Sequence, residues 1–95
     1  MASYRISEAA KRDLKRIYRR GVLEFGEAQA DRYFDAHFER FNEIATQPLR
    51  YPAVDDIRAG YRRSACGVDS IYYRIAGNRV EIMRIPGRQD ADGWL

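Results

Sequence analysis

The residues best suited to chemistry are arginines that interrupt short apolar runs in the last third of the chain. They lie in three segments of β type, at residues 60–63, 71–75 and 80–88. No histidine, cysteine pair or carboxylate pair accompanies them. A guanidinium carries a charge and a fixed set of donors, but a pKa above about 12 makes it a poor proton shuttle at neutral pH. The pattern therefore predicts a surface that binds an anion and does not cleave it.

Catalytic and metal-binding alternatives lack the residues they require. His37 is the only histidine, and helical spacing places it among phenylalanines, far along the chain from the arginines. A lone histidine without a cysteine cluster gives no zinc site, and Asp55 and Asp56 are too few ligands for a carboxylate site. The serines have no nearby base or nucleophile elbow, and Cys66 has no histidine partner. We therefore expect no catalytic residue, no metal and no cofactor.

A metal-free nuclease would need a general base, a general acid and cations for the phosphorane. The strand arginines can supply the cations, which leaves the acid and the base unassigned. Tyr61, Tyr72 and Tyr73 are the remaining proton donors, and core or cross-strand packing already accounts for them. The arginines concerned are Arg62, Arg63, Arg74, Arg84 and Arg88.

Length and composition fit a single domain spanning residues 1–95. A hydrophobic content of 45% is enough for a packed core, and 33% charged residues indicate a wet exterior. The net charge is +3, and only Lys11 and Lys15 among the 17 basic residues are lysines. Arginine favours planar, bidentate contacts, although an arginine-rich proteome would produce the same bias. The single cysteine, the absence of a signal sequence and the short apolar runs predict a cytoplasmic protein without membrane contact.

Two amphipathic helices are predicted in the first half of the chain. Ser7 is a suitable N-cap, and Glu8 lies favourably near the positive end of the helix dipole. The first helix carries an apolar stripe on one side and a basic face on the other. Gly26 separates it from a second helix, which runs from about residue 27 to 47 before Pro48 ends it. The short link favours an antiparallel helical hairpin whose aromatic side chains form much of the core.

The remaining apolar runs predict strands. Residues 4–6 form a short first strand, and residues 48–59 form an ordered surface connection to a later sheet. Gly77-Asn78 is typical of a two-residue hairpin turn, and it sets the register of the hairpin around it. The predicted partners are Ala76 and Arg79, Ile75 and Val80, Arg74 and Glu81, Tyr73 and Ile82, Tyr72 and Met83, and Ile71 and Arg84.

Alternation along this hairpin assigns its side chains to two faces. The face toward the helices carries Ile71, Tyr73, Ile75, Val80 and Ile82. The opposite face carries Tyr72, Arg74, Glu81, Met83 and Ile85. This second face is more apolar than solvent contact needs, so we expect a partner or the C-terminal tail to cover it. The predicted fold class is α+β, with an N-terminal strand and an antiparallel helical hairpin packed on a small antiparallel sheet, in the order β-α-α-β-β-β.

This order of elements resembles the RelE/ParE toxin superfamily, and the residues resemble its ParE branch. The similarity covers nearly the whole chain and is specific in the order and spacing of its motifs. They are Tyr4-Arg5-Ile6-Ser7, Leu14-Lys15-Arg16-Ile17-Tyr18, Phe25-Gly26, Gln29-Ala30-Asp31-Arg32-Tyr33, Asp56-Ile57-Arg58-Ala59-Gly60-Tyr61-Arg62-Arg63, Ile71-Tyr72-Tyr73-Arg74 and Val80-Glu81-Ile82-Met83-Arg84-Ile85. Family members commonly carry a Leu-His-Gly-Arg or similar segment after the last strand, and this chain has Ile85-Pro86-Gly87-Arg88 there.

The resemblance implies a type II toxin that inhibits DNA gyrase without catalytic chemistry of its own. It also implies a ParD-like antitoxin that neutralises the toxin in a hetero-oligomer and provides its only, indirect contact with DNA. A ribosome-dependent mRNA endoribonuclease of the RelE type is the alternative. A third hypothesis is a plain nucleic-acid-binding module that uses the basic face of the first helix. That face carries Lys11, Lys15, Arg16, Arg19 and Arg20.

Two contact surfaces are predicted from the resemblance and the register. An acidic, amphipathic antitoxin tail would bind Arg58, Tyr61, Arg63, Tyr72, Arg74 and Met83. The alternative is that these arginines are solvated or paired within the fold, as Arg74 with Glu81. Target contacts are predicted for Arg84, Arg88, Trp94 and Leu95. A tryptophan near a polar C-terminus is unusual unless it docks on a target or folds back onto the domain.

Overall fold

Helices and strands follow the predicted order in the computed structural model, which describes residues 3–87. The helical hairpin packs on one face of a four-stranded sheet, so the predicted α+β fold and its β-α-α-β-β-β order are confirmed. None of the helices in this range is long and apolar enough to cross a bilayer. The elements are β1 (Tyr4–Ile6), α1 (Glu8–Phe25), α2 (Glu27–Thr46), β2 (Tyr61–Cys66), β3 (Asp69–Ala76) and β4 (Arg79–Arg84).

Both helices begin and end close to the predicted positions. The Ser7 hydroxyl accepts from the backbone N–H of Ala10 at 3.0 Å and donates to the Met83 carbonyl at 2.8 Å. One side chain thus caps α1 and attaches it to β4. Gly26 turns the chain into α2 with φ at 90°, a conformation that costs glycine little. Helix α2 ends at Thr46, within one residue of the predicted boundary.

The sheet has the strand order β1-β4-β3-β2. Strands β2, β3 and β4 are antiparallel to their neighbours, as predicted. Strand β1 lies at one edge and runs parallel to β4, with Tyr4 opposite Val80. The sheet is therefore mixed, and β1 adds a parallel pair for which the sequence had suggested no partner.

The register of the β3–β4 hairpin is confirmed only near its turn. The pairs from Ala76–Arg79 to Tyr73–Ile82 form as predicted. Beyond them a bulge shifts the ladder, and Tyr72 pairs with Arg84. The predicted pairing of Tyr72 with Met83 is wrong, because Met83 is the extra residue of the bulge, and Ile71 consequently does not face Arg84.

The bulge also changes which side chains are buried. Ile85 lies in the main core with no exposed surface, so its assignment to the opposite face is wrong. One inserted residue moves every later side chain to the other face of a strand, and that accounts for the difference. Ile75 pairs with the buried Val80 as predicted, and its place next to the hairpin turn leaves it 42% exposed.

Two apolar clusters stabilise the domain. The main core lies between the helices and the sheet, where Phe41, Ile44 and Tyr73 are fully or almost fully buried. A smaller cluster lies on the other face of the sheet around Tyr61 and Tyr72. Part of that face is covered by the ordered connection after α2, which bonds along β2 through an Ala53–Arg62 bridge. The chain therefore covers some of the surface that we expected a partner or the tail to cover. 

Candidate functional site

The strand arginines reach different parts of the molecule. Arg63 and Arg74 are exposed on the face of the sheet opposite the helices. Arg62 lies on the other side of β2, where it donates to the Tyr51 carbonyl at 2.7 Å. Arg84 forms an ion pair with α1. Arginines that look equivalent in the sequence thus have separate roles, and Arg63 and Arg74 are the more accessible of these four.

The predicted antitoxin surface has an exposed basic part and a buried aromatic part. Tyr61 and Tyr72 are only 6% and 2% exposed, beneath the connection that contains Val54. Arg58 is exposed and lies over the Tyr61 ring, 5.4 Å from its centroid. The two tyrosines therefore support this surface from below, and Arg58 offers its guanidinium to solvent.

Arg74 is paired within the fold. Its Nε donates to Glu81 Oε1 at 2.7 Å across the β3–β4 hairpin, and that bond raises the pKa of Arg74. The pair is about half exposed on the arginine side, so it is worth little to stability. Met83 is half-buried beside Tyr72. We call the exposed face formed by Arg58, Arg63, Arg74 and Met83 the outer sheet surface, and its role in antitoxin binding stays a prediction.

His37, Tyr73 and Cys66 lie on the helix side of the sheet, away from the outer sheet surface. His37 is fully buried in the helix layer, and burial lowers its pKa. Its Nδ1 donates to the Tyr33 carbonyl at 2.9 Å, because a carbonyl only accepts. Burial raises the pKa of Tyr73 to about 12 and also raises the pKa of the Cys66 thiol. Within residues 3–87, no three histidine, cysteine or carboxylate side chains are grouped to hold a metal.

A buried carboxylate fixes the chain where it leaves β4. Asp13 in α1 accepts from Arg84 Nε at 2.8 Å and from Arg84 Nη2 at 3.3 Å. It also accepts from the backbone N–H of Ile85 at 2.8 Å, and Arg16 Nη2 donates to the Ile85 carbonyl at 2.7 Å. We call Asp13, Arg16, Arg84 and Ile85 the exit clamp. Arg84 makes these contacts within the fold, and its predicted contact with a target stays a prediction.

A second buried carboxylate fixes the turn between β2 and β3. Asp69 Oδ2 accepts from Arg20 at 3.0 Å and from the Tyr33 hydroxyl at 2.7 Å. The single hydrogen of this hydroxyl goes to Asp69, and the Cys66 carbonyl oxygen lies 2.9 Å from the hydroxyl oxygen. Burial together with the bond to Asp69 raises the pKa of Tyr33. We call Arg20, Tyr33 and Asp69 the turn cluster. The remaining predicted target residues, Arg88, Trp94 and Leu95, lie outside the described range.

Sequence reasoning missed an apolar groove on the helical hairpin. Leu23 is 82% exposed and Phe25 is 61% exposed near the tip of the hairpin. Beside them, side chains of α1 and α2 enclose a cleft of about 680 Å³. Its apolar lining comes from Tyr18, Val22, Leu23 and Phe34, and we call this feature the hairpin groove. The available signal was Leu23, an apolar residue outside the buried stripe of α1.

The charge around the hairpin groove is mainly positive. Lys15 and Arg19 line it from α1. Asp31 is the acidic residue of the lining, and it accepts from the Tyr18 hydroxyl at 2.7 Å, which raises the pKa of Tyr18 to about 12. An apolar floor with cations beside it suits an amphipathic partner that carries carboxylates.

The basic face of α1 is less available than its sequence suggests. Lys11 Nζ lies 3.0 Å from a Glu8 carboxylate oxygen. Arg20 belongs to the turn cluster and Arg16 to the exit clamp. Lys15 and Arg19 remain, and they line the hairpin groove. Two of the five cations, Arg16 and Arg20, thus bond to other parts of the fold, and this does not favour the hypothesis of a plain nucleic-acid-binding module.

A family model and individual relatives all match this sequence to the same family of proteins. A family model described as the ParE toxin of the type II toxin-antitoxin system parDE matches residues 4–91. Toxin ParE1 from Caulobacter vibrioides is 38% identical over 85 residues, which cover 90% of this chain and 88% of that toxin. Toxin ParE1 from Mycobacterium tuberculosis is 30% identical over 91 residues, which cover 94% of this chain and 93% of that toxin.

Solved structures share the fold. A chain of the chromosomal ParDE toxin–antitoxin system from P. aeruginosa aligns with a TM-score of 0.80 at 21% identity, covering 92% of this chain and 96% of that one. A chain of the toxin–antitoxin complex RelBE2 from Mycobacterium tuberculosis aligns with a TM-score of 0.67 at 25% identity, covering 92% and 98%. Both likenesses concern the arrangement of helices and strands.

Proposed function

The chain belongs to the ParE family of toxins of type II toxin–antitoxin systems, and we propose that it inhibits DNA gyrase without catalytic chemistry of its own. In this proposal it acts in the cytoplasm, is neutralised by a ParD-like antitoxin and contacts DNA only through that antitoxin. The toxin blocks its target by binding, so its potency depends on the side chains that contact the target and not on proton transfer.

The observation that carries this proposal is the separation of the exposed strand arginines from His37, the single histidine of the sequence. Arg63 and Arg74 are exposed on one side of the sheet. His37 is buried on the other side, and burial holds its pKa below the usual value. A nuclease would need an acid and a base within hydrogen-bond reach of the phosphate that the arginines hold. The arrangement therefore favours binding over cleavage.

The assay for the target measures how much relaxed plasmid DNA purified gyrase supercoils. We expect the wild-type protein to reduce supercoiling, and unchanged supercoiling at large excess would exclude gyrase inhibition. A translation extract with a reporter mRNA is the parallel assay. Codon-specific cleavage of that mRNA, lost in Arg62→Ala or Arg84→Ala, would favour the RelE-type endoribonuclease instead.

The proposed antitoxin contact has an apolar part and a basic part. The hairpin groove offers exposed Leu23 with Lys15 and Arg19 beside it. The outer sheet surface offers guanidiniums, among them that of Arg63. An acidic, amphipathic antitoxin segment would lay its apolar side chains in the groove and pair its carboxylates with the arginines. Such a segment commonly folds as it binds.

Matched variants separate the two parts of this contact. Leu23→Glu should weaken binding to a ParD-like antitoxin at least tenfold, because it puts a charge in the groove. Leu49→Glu is the control, since Leu49 is 70% exposed outside the groove and its substitution should change binding less than twofold. Arg63→Ala, with Arg50→Ala as control, tests the outer sheet surface. Calorimetric titration measures all four affinities, and equal binding by Leu23→Glu and wild type would remove the groove from the proposal.

A further inference from the structure

One carboxylate lies among the arginines on the face of the sheet opposite the helices. Val80 and Ile82 belong to the main core, so alternation along β4 places Glu81 on that opposite face. The other acidic residue of the four strands, Asp69, bonds to side chains of both helices. Glu81 is therefore the carboxylate that the strands contribute to the outer face of the sheet.

The register of the sheet surrounds Glu81 with three arginines. Arg5 is its partner across β1, and Arg74 is its partner across β3. Arg79 lies two residues earlier in β4, and alternation puts it on the same face. The spacing of strands and of alternate residues places these three Cα atoms about 5 to 7 Å from that of Glu81. We call Arg5, Arg74, Arg79 and Glu81 the Glu81 cluster.

The Glu81 cluster carries an excess of positive charge that solvent reaches. Arg5, Arg74 and Arg79 are exposed, whereas the Glu81 side chain is only 20% exposed. Glu81 accepts from Arg74 Nε at 2.7 Å. Among residues 3–87, no carboxylate lies within ion-pair distance of Arg5 or Arg79. Two guanidiniums thus remain for a ligand, beside a carboxylate that is held in place by the third.

A carboxylate fixed at this position affects two kinds of acidic ligand differently. A nucleic acid strand carries a phosphate at every nucleotide, so a strand that follows the arginines also brings phosphates next to Glu81. Like charges placed together at a contact disfavour that partner. An acidic peptide segment has neutral side chains between its carboxylates, and one of these can face Glu81 while carboxylates bind Arg5 and Arg79. The arrangement of charge therefore suits the peptide.

We propose that Glu81 is a specificity residue, through which the outer face of the sheet accepts an acidic peptide segment and disfavours nucleic acid. The inference deepens the antitoxin contact of the proposed function and rests on that function for the identity of the peptide. It also gives a physical reason why the toxin would contact DNA only through its antitoxin. The Arg74–Glu81 pair adds little to stability, and its main effect is to withhold one guanidinium from phosphate.

Binding of a single-stranded oligothymidine of about 12 nucleotides tests the inference with full-length variants, followed by fluorescence anisotropy at low salt. Glu81→Gln keeps the shape of the side chain and removes its charge, so it should tighten this binding at least fivefold. Glu39→Gln is the control, because Glu39 is exposed on α2 and its substitution changes the net charge equally. It should change the binding less than twofold. Equal binding by Glu81→Gln and wild type, absent binding included, would overturn the inference.

Salt dependence and a double variant identify the contact that Glu81 prevents. The slope of log affinity against log salt should steepen by about 0.7 in Glu81→Gln, the value for one more phosphate on a single strand. Adding Arg74→Gln should remove most of the gain, since Arg74 is the guanidinium that Glu81 releases. Adding Arg50→Gln instead should leave the gain, because Arg50 lies outside the Glu81 cluster. A gain that survives Arg74→Gln would place the contact elsewhere and contradict the inference.

Binding to a ParD-like antitoxin measures the other side of the selectivity. Calorimetric titration should give Glu81→Gln an antitoxin affinity within twofold of the wild type. A gain equal to that for oligothymidine would mean a general effect of charge and would overturn the selectivity, as would tight, salt-sensitive oligothymidine binding by the wild type. If the wild type binds no antitoxin, the proposed antitoxin contact fails, and the oligothymidine results still decide whether Glu81 disfavours nucleic acid.

Discussion

Asp13 and Asp69 are two buried carboxylates that use the same chemistry in different ways. Each is paired with an arginine, Asp13 with Arg84 and Asp69 with Arg20. Asp13 uses both oxygens, and one of its bonds reaches the backbone after β4. Asp69 uses Oδ2 alone, and its buried Oδ1 accepts no hydrogen bond from the residues that the structure describes.

This difference indicates how far the turn cluster and the exit clamp each depend on the charge of their carboxylate. In the turn cluster the Tyr33 hydroxyl oxygen also accepts from the Val68 N–H at 3.2 Å and lies 2.9 Å from the Cys66 carbonyl oxygen. The exit clamp is held by the side chains of Asp13 and Arg16. We infer that the turn depends on close packing around Tyr33, whereas the exit depends on the carboxylate itself.

The largest expected effect is on packing in the turn. Gly67 has φ at 61°, and a Cβ there would lie 2.5 Å from the Tyr33 ring. Gly67→Ala should therefore lower the free energy of unfolding by about 2–5 kcal/mol, from backbone strain and overpacking together. Gly77→Ala is the control, because Gly77 has φ at 62° but open space around it, so only about 1–2 kcal/mol of strain is expected. Urea unfolding measures both, and equal losses would contradict the packing argument.

A smaller effect on the free energy of unfolding compares Asp13 and Asp69 directly. Asp13→Asn should lower the free energy of unfolding by about 2–3 kcal/mol, because both oxygens serve donors and an amide nitrogen must face one of them. At Asp69 the amide nitrogen can occupy the unbonded Oδ1 position while the oxygen keeps Arg20 and Tyr33, so a loss of about 1–2 kcal/mol is expected. Thermal unfolding at neutral pH checks the order, and a larger loss for Asp69→Asn would reverse the comparison.

The smallest expected effect is a pH dependence of the free energy of unfolding that comes from His37, next to Tyr33 of the turn cluster. Burial holds the pKa of His37 below its usual value of about 6.5, so the unfolded chain binds this proton more readily than the folded protein does. Stability is therefore present above about pH 6.5 and lost as the pH falls below it, by at most about 1.4 kcal/mol per pH unit. Urea unfolding between pH 7.5 and 5.5 should show this loss, and His37→Gln should remove most of it. An unchanged slope in His37→Gln would assign the pH dependence to other groups.

Local signals in the sequence predicted the parts of the fold that depend on near neighbours. Ser7 and Pro48 marked helix ends, and Gly77-Asn78 set the hairpin register close to its turn. The bulge at Met83 has no such signal, because an inserted residue is stabilised by contacts made after folding. Ile85 was therefore assigned to the wrong face, and the exit clamp that holds it was not foreseen.

The candidate site, too, was predicted from the sequence only in part. The sequence identified the arginines, but whether a guanidinium meets solvent or another part of the chain depends on tertiary contacts. Arg84 meets a carboxylate 71 positions away, and Arg62 meets a carbonyl 11 positions away. The hairpin groove was missed because the helical stripe identifies residues that face the core, whereas Leu23 lies outside that stripe.

The dose dependence of gyrase inhibition tests the central claim, which is inhibition by binding alone. Supercoiling would be followed at several toxin concentrations and at two gyrase concentrations, with samples taken early and late. For tight one-to-one binding we expect half-inhibition at toxin concentrations no lower than about half that of gyrase, and the same degree of inhibition at both times. Inhibition by toxin far below the gyrase concentration, growing with time, would mean that each toxin molecule inactivates many targets and would contradict a non-catalytic mechanism.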